Sequence, residues 1–192
     1  MGNPLRDRRT AAEFASVGQV IEFNEKITSF PGFAAIVEAD LAALEPARIP
    51  PAWRETDITG RLEFGFVDAA GRLPIVSGCA TARIDAVCQR CLEPFQLEIS
   101  TEPKLLLLPE EQQVEGYEEF EVWELEGPAF RPQDIVEELL IMAMPFSAMH
   151  DRMADCRAFA PVRSPNDGVV TELKRPFAEL RSRMEQNESD PD

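Results

Sequence analysis

Apolar and polar residues alternate along residues 18–27, with Ile21 and Phe23 two apart, and that period predicts a β-strand. The period then changes. Phe33, Ile36, Val37, Leu41 and Leu44 recur at intervals of three and four, predicting an amphipathic helix opened near Pro31 and Gly32 and stopped before Pro46. Pro46, Pro50 and Pro51 break the chain into a linker around Trp53. From Thr56 the period of two returns in Ile58, Leu62, Phe64 and Phe66. Residues 68–71 read as a turn and 74–87 as a further strand. After a cysteine-bearing turn, Phe95, Leu97 and Ile99 alternate outward to Thr101.

Residues 105–108 are a run of leucines, too short for a membrane span and suited to a buried strand. The acidic stretch 109–121 predicts a mobile loop, and Phe120, Val122 and Leu125 a last short strand. Residues 132–144 carry the strongest helical pattern. Pro132 suits a first turn, Asp134, Glu137 and Glu138 suit the positive helix end, and Ile135, Val136, Leu139, Leu140 and Met142 make a broad apolar face. This order of elements predicts an α+β fold, an antiparallel sheet (open or barrel-like) with two packed helices. The expected organisation is a basic, irregular and flexible N-terminus at 1–16, one α+β domain at 17–157, and a mostly irregular, flexible tail at 158–192 with a short helix at 176–184. No internal repeat is present.

Composition fits a folded domain. The chain has 192 residues, 44% of them apolar and twelve of them Phe, enough to bury about two-thirds of the unfolded surface. No segment reaches the roughly 18 uncharged apolar residues of a membrane helix. Residues 11–20 contain Glu13 and lack a signal-peptide core. The expectation is a cytoplasmic protein, whose cysteines are thiols or metal ligands rather than disulfides.

Charge narrows the choice of partner. Thirty-five acids against nineteen bases give a net charge of −16, which opposes broad RNA binding because phosphate contacts need Lys and Arg. Residues 93–138 hold fourteen acids against only Lys104 and Arg131. One reading is a solvated, solubilising face. The other is a docking surface for a basic protein, with Glu115, Glu118, Glu119 and Glu121 as candidate contacts.

Candidate chemistry centres on Cys88 and Cys91. Two cysteines flanking a two-residue turn supply half of a tetrahedral zinc site. His150, the only histidine, and Cys156 complete a candidate set of four ligands. The plain alternative is that the pair fills a strand turn and His150 lies idle past a helix end. A thioredoxin-like dithiol needs a following helix, and here an alternating strand follows. Cys79, between Gly78 and Ala80, reads as a small buried hydrophobe. Glycine-rich phosphate loops, G-x-S-x-G and H-E-x-x-H are absent, so no enzyme and no small-molecule substrate are expected. Arg90, inside the cysteine turn with Phe95 close by, is the candidate RNA contact; pairing with Glu93 is its plainer role.

The run 87–95 (VCQRCLEPF), the acidic helix 134–145 ending in Met144-Pro145, the His150-Asp151 step followed by Cys156, and residues 175–180 (RPFAEL) stand in a fixed order. Together with a weaker Pro4-Leu5 opening they resemble the large ribosomal RNA subunit accumulation (YceD) family. Many members carry a second cysteine pair after the helix; this chain has His150 and Cys156 there instead. The resemblance implies a non-enzymatic ribosome-biogenesis factor needed for large-subunit ribosomal RNA to accumulate. Its expected partner is a ribosomal protein or large-subunit assembly intermediate. The rival role is a zinc-ribbon-like module that protects precursor ribosomal RNA directly.

Overall fold

The structure, a computed structural model, describes residues 3–67, 73–110, 112 and 114–156. One sheet contains β1 (Val20–Lys26), β2 (Asp57–Phe66), β3 (Pro74–Val87), β4 (Pro94–Thr101), β5 (Lys104–Pro109) and β6 (Glu121–Leu125). Around it lie α1 (Ala11–Ser16), α2 (Pro31–Leu41) and α3 (Pro132–Ala143). The fold is α+β, as the element order predicts. The turn at 68–71, the tail at 158–192 and its helix at 176–184 fall outside the described residues.

β3 organises the sheet. One edge pairs antiparallel with β2, which passes on to β1. The other edge is shared end to end, residues 75–77 pairing with β5 and 80–87 with β4. Beyond Ala82 the β2 side has no strand, so β3 and β4 run on as a two-stranded ribbon. At its end the Asp40 carboxylate of α2 accepts the Val87 N–H at 2.7 Å, satisfying a backbone donor that lacks a ladder partner.

The sheet is neither wholly antiparallel nor closed into a barrel. β6 runs parallel to β5, and β1 and β6 are left as edges. A parallel neighbour requires a crossover connection, and the acidic segment 110–120 is that crossover. β6 lies on the outer side of β5, at the far side of the sheet from β1, and the two do not pair, so the sheet is open.

Strand alternation sets what each face meets. Leu62, Phe64, Val76, Ala82, Ile84 and Ile99 lie in the core, and the Phe23 ring covers Gly60, where a Cβ would lie 2.4 Å from its Cζ. The opposite face carries ion pairs from Arg61 to Glu22 and Glu63 and from Arg83 to Glu98. Cys79 belongs to this outer face and is exposed, contrary to expectation. From Val76 to Ile84 the core-facing residues of β3 are even-numbered, so an odd position there turns away. β5 is buried on both faces through Leu105, Leu106, Leu107 and Leu108, as its apolar run predicts.

Two helices are expected from the sequence and three are present among the described residues. The stretch before Gly18, read as irregular, contains a 3-10 turn at Pro4–Arg6 and helix α1, which bury Leu5 and Phe14 completely. Thr10 and Glu13 close a capping box over α1. The proline-broken linker is anchored too: Trp53 is buried, with Arg54 stacked 4.3 Å from its ring. α2 has no cap of its own. Glu137 of α3 accepts the Gly32 and Phe33 N–H groups, and Gln133 donates to the Ser29 carbonyl, tying the two helices together.

α3 follows its sequence pattern in Ile135, Val136, Leu139 and Leu140, buried in the common core, but Met142, expected on the same face, is exposed near the helix end. Leu139→Ala should therefore cost about 2–5 kcal/mol in denaturant unfolding. A loss below about 0.5 kcal/mol, the range of surface substitutions, would show that this face does not pack.

Candidate metal centre

The β3–β4 ribbon ends in residues 88–93, the hairpin that carries the cysteine pair. Leu92 donates to the Cys88 carbonyl at 2.8 Å and Cys88 to the Glu93 carbonyl at 3.0 Å, closing the turn. Leu92 has φ 57, so the chain bends sharply after Cys91 through a left-handed residue. Arg48 braces the outside through the Leu92 carbonyl and the Glu93 carboxylate.

After Pro145 the chain passes this hairpin. Gln89 donates its backbone N–H to the Ala148 carbonyl at 2.8 Å, and Arg90 donates to the His150 carbonyl at 3.4 Å. Arg90 thus pairs with neither Glu93 nor an acid of α3, nor does it stack on Phe95; it links the two segments. Phe95 instead lies against the His150 ring, with centroids 4.7 Å apart. The 3-10 turn Met153–Asp155 then delivers Cys156.

The four predicted ligands converge. The ligand atoms of Cys88, Cys91, His150 and Cys156 all lie within 4.8 Å of one another. Cys88 Sγ and Cys156 Sγ are 4.0 Å apart, and His150 Nδ1 is 3.6 Å from Cys91 Sγ and 3.5 Å from Cys156 Sγ. Zn–S bonds of about 2.3 Å and a Zn–N bond of about 2.0–2.1 Å give tetrahedral edges of roughly 3.8 Å between sulfurs and roughly 3.6 Å from sulfur to nitrogen. The donor set and its spacing are therefore compatible with zinc. All four cysteines are free. The three sulfurs of the cluster are buried.

The surroundings also prepare a thiolate. Burial pushes the Cys88 thiol up, but backbone N–H groups of His150, Cys91 and Arg90 and the His150 ring outweigh it and hold the thiol at about 5. Cys156 moves the other way, to about 11, through burial, its hydrogen bonds with Cys91 and Cys88, and their negative charge. Such a cluster keeps protons that a bound cation displaces.

The remaining predicted residues lie elsewhere. Glu115, Glu118 and Glu119 are on the crossover and Glu121 begins β6. β6 is reached from Val76 through β5, so the acidic region and the cysteine turn sit roughly 35 Å apart along β3. Sequence reasoning missed Asp40, Gln89 and Arg48, whose anchoring roles carry no local motif.

The family model for the large ribosomal RNA subunit accumulation protein YceD matches residues 76–185, from β3 through all four ligands. The chain belongs to this family, which assigns it a role in large-subunit ribosomal RNA accumulation. No curated protein and no solved structure matches it. No helix among the described residues is long and apolar enough to cross a membrane.

Proposed function

We propose that this chain is a non-enzymatic, cytoplasmic ribosome-assembly factor that holds a basic large-subunit ribosomal protein on its acidic side, so that the ribosomal RNA it belongs with is retained. One observation carries the reading. Glu102, Glu110, Glu115, Glu118, Glu119, Glu121, Glu124 and Glu126 have no side-chain hydrogen bond or ion pair to any described residue. Most bases among the described residues are already paired within the fold. Every described Lys and Arg except Arg8, Arg90 and Lys104 is ion-paired with a carboxylate, and Arg90 is committed to the His150 carbonyl. An acidic surface free of partners among the described residues, beside bases that are mostly ion-paired, suits a cationic protein better than a polyanion.

The cysteine cluster takes zinc in this reading, with a structural role. Four protein ligands leave no open position for water or substrate, as in closed structural sites. The ion joins the 148–156 segment to the β3–β4 hairpin. The acids do not hold the fold together, since exposed pairs contribute only about 0–1 kcal/mol each. Replacing Glu115, Glu118, Glu119 and Glu121 together by Gln should leave the melting temperature nearly unchanged and impair ribosomal RNA accumulation in a deletion strain. Full complementation by the quadruple variant would reduce the segment to a solubilising crossover.

A further inference from the structure

The three strand edges of the sheet are not equivalent. The β1 edge is dressed by the N-terminus: Asn3 and Arg6 both reach Glu25, and Arg6 also reaches Ser29. The outer side of β4 borders α3 and the segment carrying His150, Asp151 and Asp155. Among the described residues β6 has neither cover. It pairs only with β5, and in a parallel pair alternate residues turn their N–H and C=O groups away from the neighbour. Those outward groups have no hydrogen-bonding partner among the described residues.

The chemistry of this edge is one-sided. Trp123 and Leu125 pack toward the core, while Val122 is exposed and the Glu121 and Glu124 carboxylates have no partner among the described residues. Where β6 passes α3 there is a cleft of about 320 Å³, lined among others by Trp123, Glu124, Glu126, Asp134 and Glu138, with Arg131 and Arg8 at its wall. Arg131 is taken by Asp134 and Arg8 donates to the Ala129 carbonyl. Glu124, Glu126 and Glu138 also line the cleft and form no ion pair with any described residue, so its acids outnumber the Arg8 charge.

We propose that the β6 edge is a strand-addition site: an extended, Lys/Arg-rich segment of a protein partner pairs beside Glu121–Leu125 and seats a cationic side chain in the cleft over Trp123. This rests on the acidic-surface reading above and adds its geometry. Main-chain pairing supplies affinity, and the cleft selects a cation at alternate positions of the added strand. Trp123 lines the same cleft, where an aromatic side chain favours a cation. Partial burial, and then the charges of Glu126, Asp134 and Glu137, already push the Glu138 carboxyl up, so a cation there relieves crowding. An exposed edge ordinarily invites a second copy of the same chain. Two such edges would bring the Glu121, Glu124 and Glu126 carboxylates of both copies close together, so the same residues that attract a basic strand disfavour self-pairing.

The test uses the full chain and a fluorescent peptide of alternating Lys and Val, compared with the same peptide N-methylated at alternate residues. N-methylation keeps the charge and removes strand pairing. The expected results are binding of the first peptide, at least about ten-fold weaker binding of the second, and new exchange protection at β6 amides. Glu138→Gln should weaken binding without lowering the melting temperature. Equal binding of both peptides would overturn strand addition while leaving the acidic-surface reading intact. Binding of neither peptide would overturn both. Dimerisation of the free chain through β6 would name a second copy as the occupant and overturn the proposal.

Discussion

With zinc bound as proposed at Cys88, Cys91, His150 and Cys156, its removal by a chelator is expected to lower the melting temperature and free residues 148–156 from the hairpin. The holding forces there are few. Apart from the ligands, the segment meets the hairpin through the Gln89 and Arg90 hydrogen bonds and the Phe95–His150 contact, and Phe146, Met149 and Met153 are exposed. A cation at about 1,000 times its Kd adds about 4 kcal/mol to the folded state. In a domain of this size that corresponds to about 8–16 °C. Cys156→Ser and His150→Ala should each reproduce most of the loss, whereas Cys79→Ser, on the outer face, should not. Chelated protein with an unchanged melt, and no new reactivity at Cys88 or Cys156, would reduce the cluster to ordinary packing.

Gly78→Ala is expected to be more damaging than any surface change. At this residue β3 passes from pairing with β5 to pairing with β4, and its N–H reaches the Pro103 carbonyl at 3.3 Å between those two strands. A Cβ here would lie 1.9 Å from the Arg61 backbone oxygen and 3.0 Å from the Leu62 Cα. Neither neighbour is a side chain able to swing aside, so β2 must separate from β3 at the centre of the sheet. The cost should exceed about 4 kcal/mol, beyond the usual range for a point substitution. Gly65→Ala is the matched control, because nothing lies within 4 Å of its Cβ position on the same strand pair. It should change stability by less than about 0.5 kcal/mol. A well-folded Gly78→Ala with control-like stability would contradict the close β2–β3 approach.

The strands were legible because their apolar residues keep a period of two where one face is buried, and α3 because its face is broad. Direction was not. Nothing in the β6 sequence distinguishes a parallel from an antiparallel neighbour; the chain's path through 110–120 decides it. α1 has only six residues, and its one local signal is the Thr10–Glu13 box. Trp53 sits among prolines that mark a break in regular structure without saying whether the segment packs. Cys79 was misplaced because a run of small residues does not reveal which of two faces each takes until the register with β2 is known. At the site, the four residues that cluster could be named from the sequence because a single histidine and the spaced cysteines left few choices. Asp40, which fixes the end of the ribbon carrying them, is an ordinary helix residue until the chain folds.

The central claim is that the acidic side recruits a basic protein of the large subunit rather than RNA. The most direct measurement is recovery of partners on the full chain from cell extract at low salt, with protein and RNA both identified before and after nuclease treatment. The account predicts a basic large-subunit ribosomal protein that stays bound after nuclease, leaves as salt rises, and is lost with the Glu115, Glu118, Glu119 and Glu121 variant. Retention of ribosomal RNA alone, abolished by nuclease and unaffected by that variant, would contradict it.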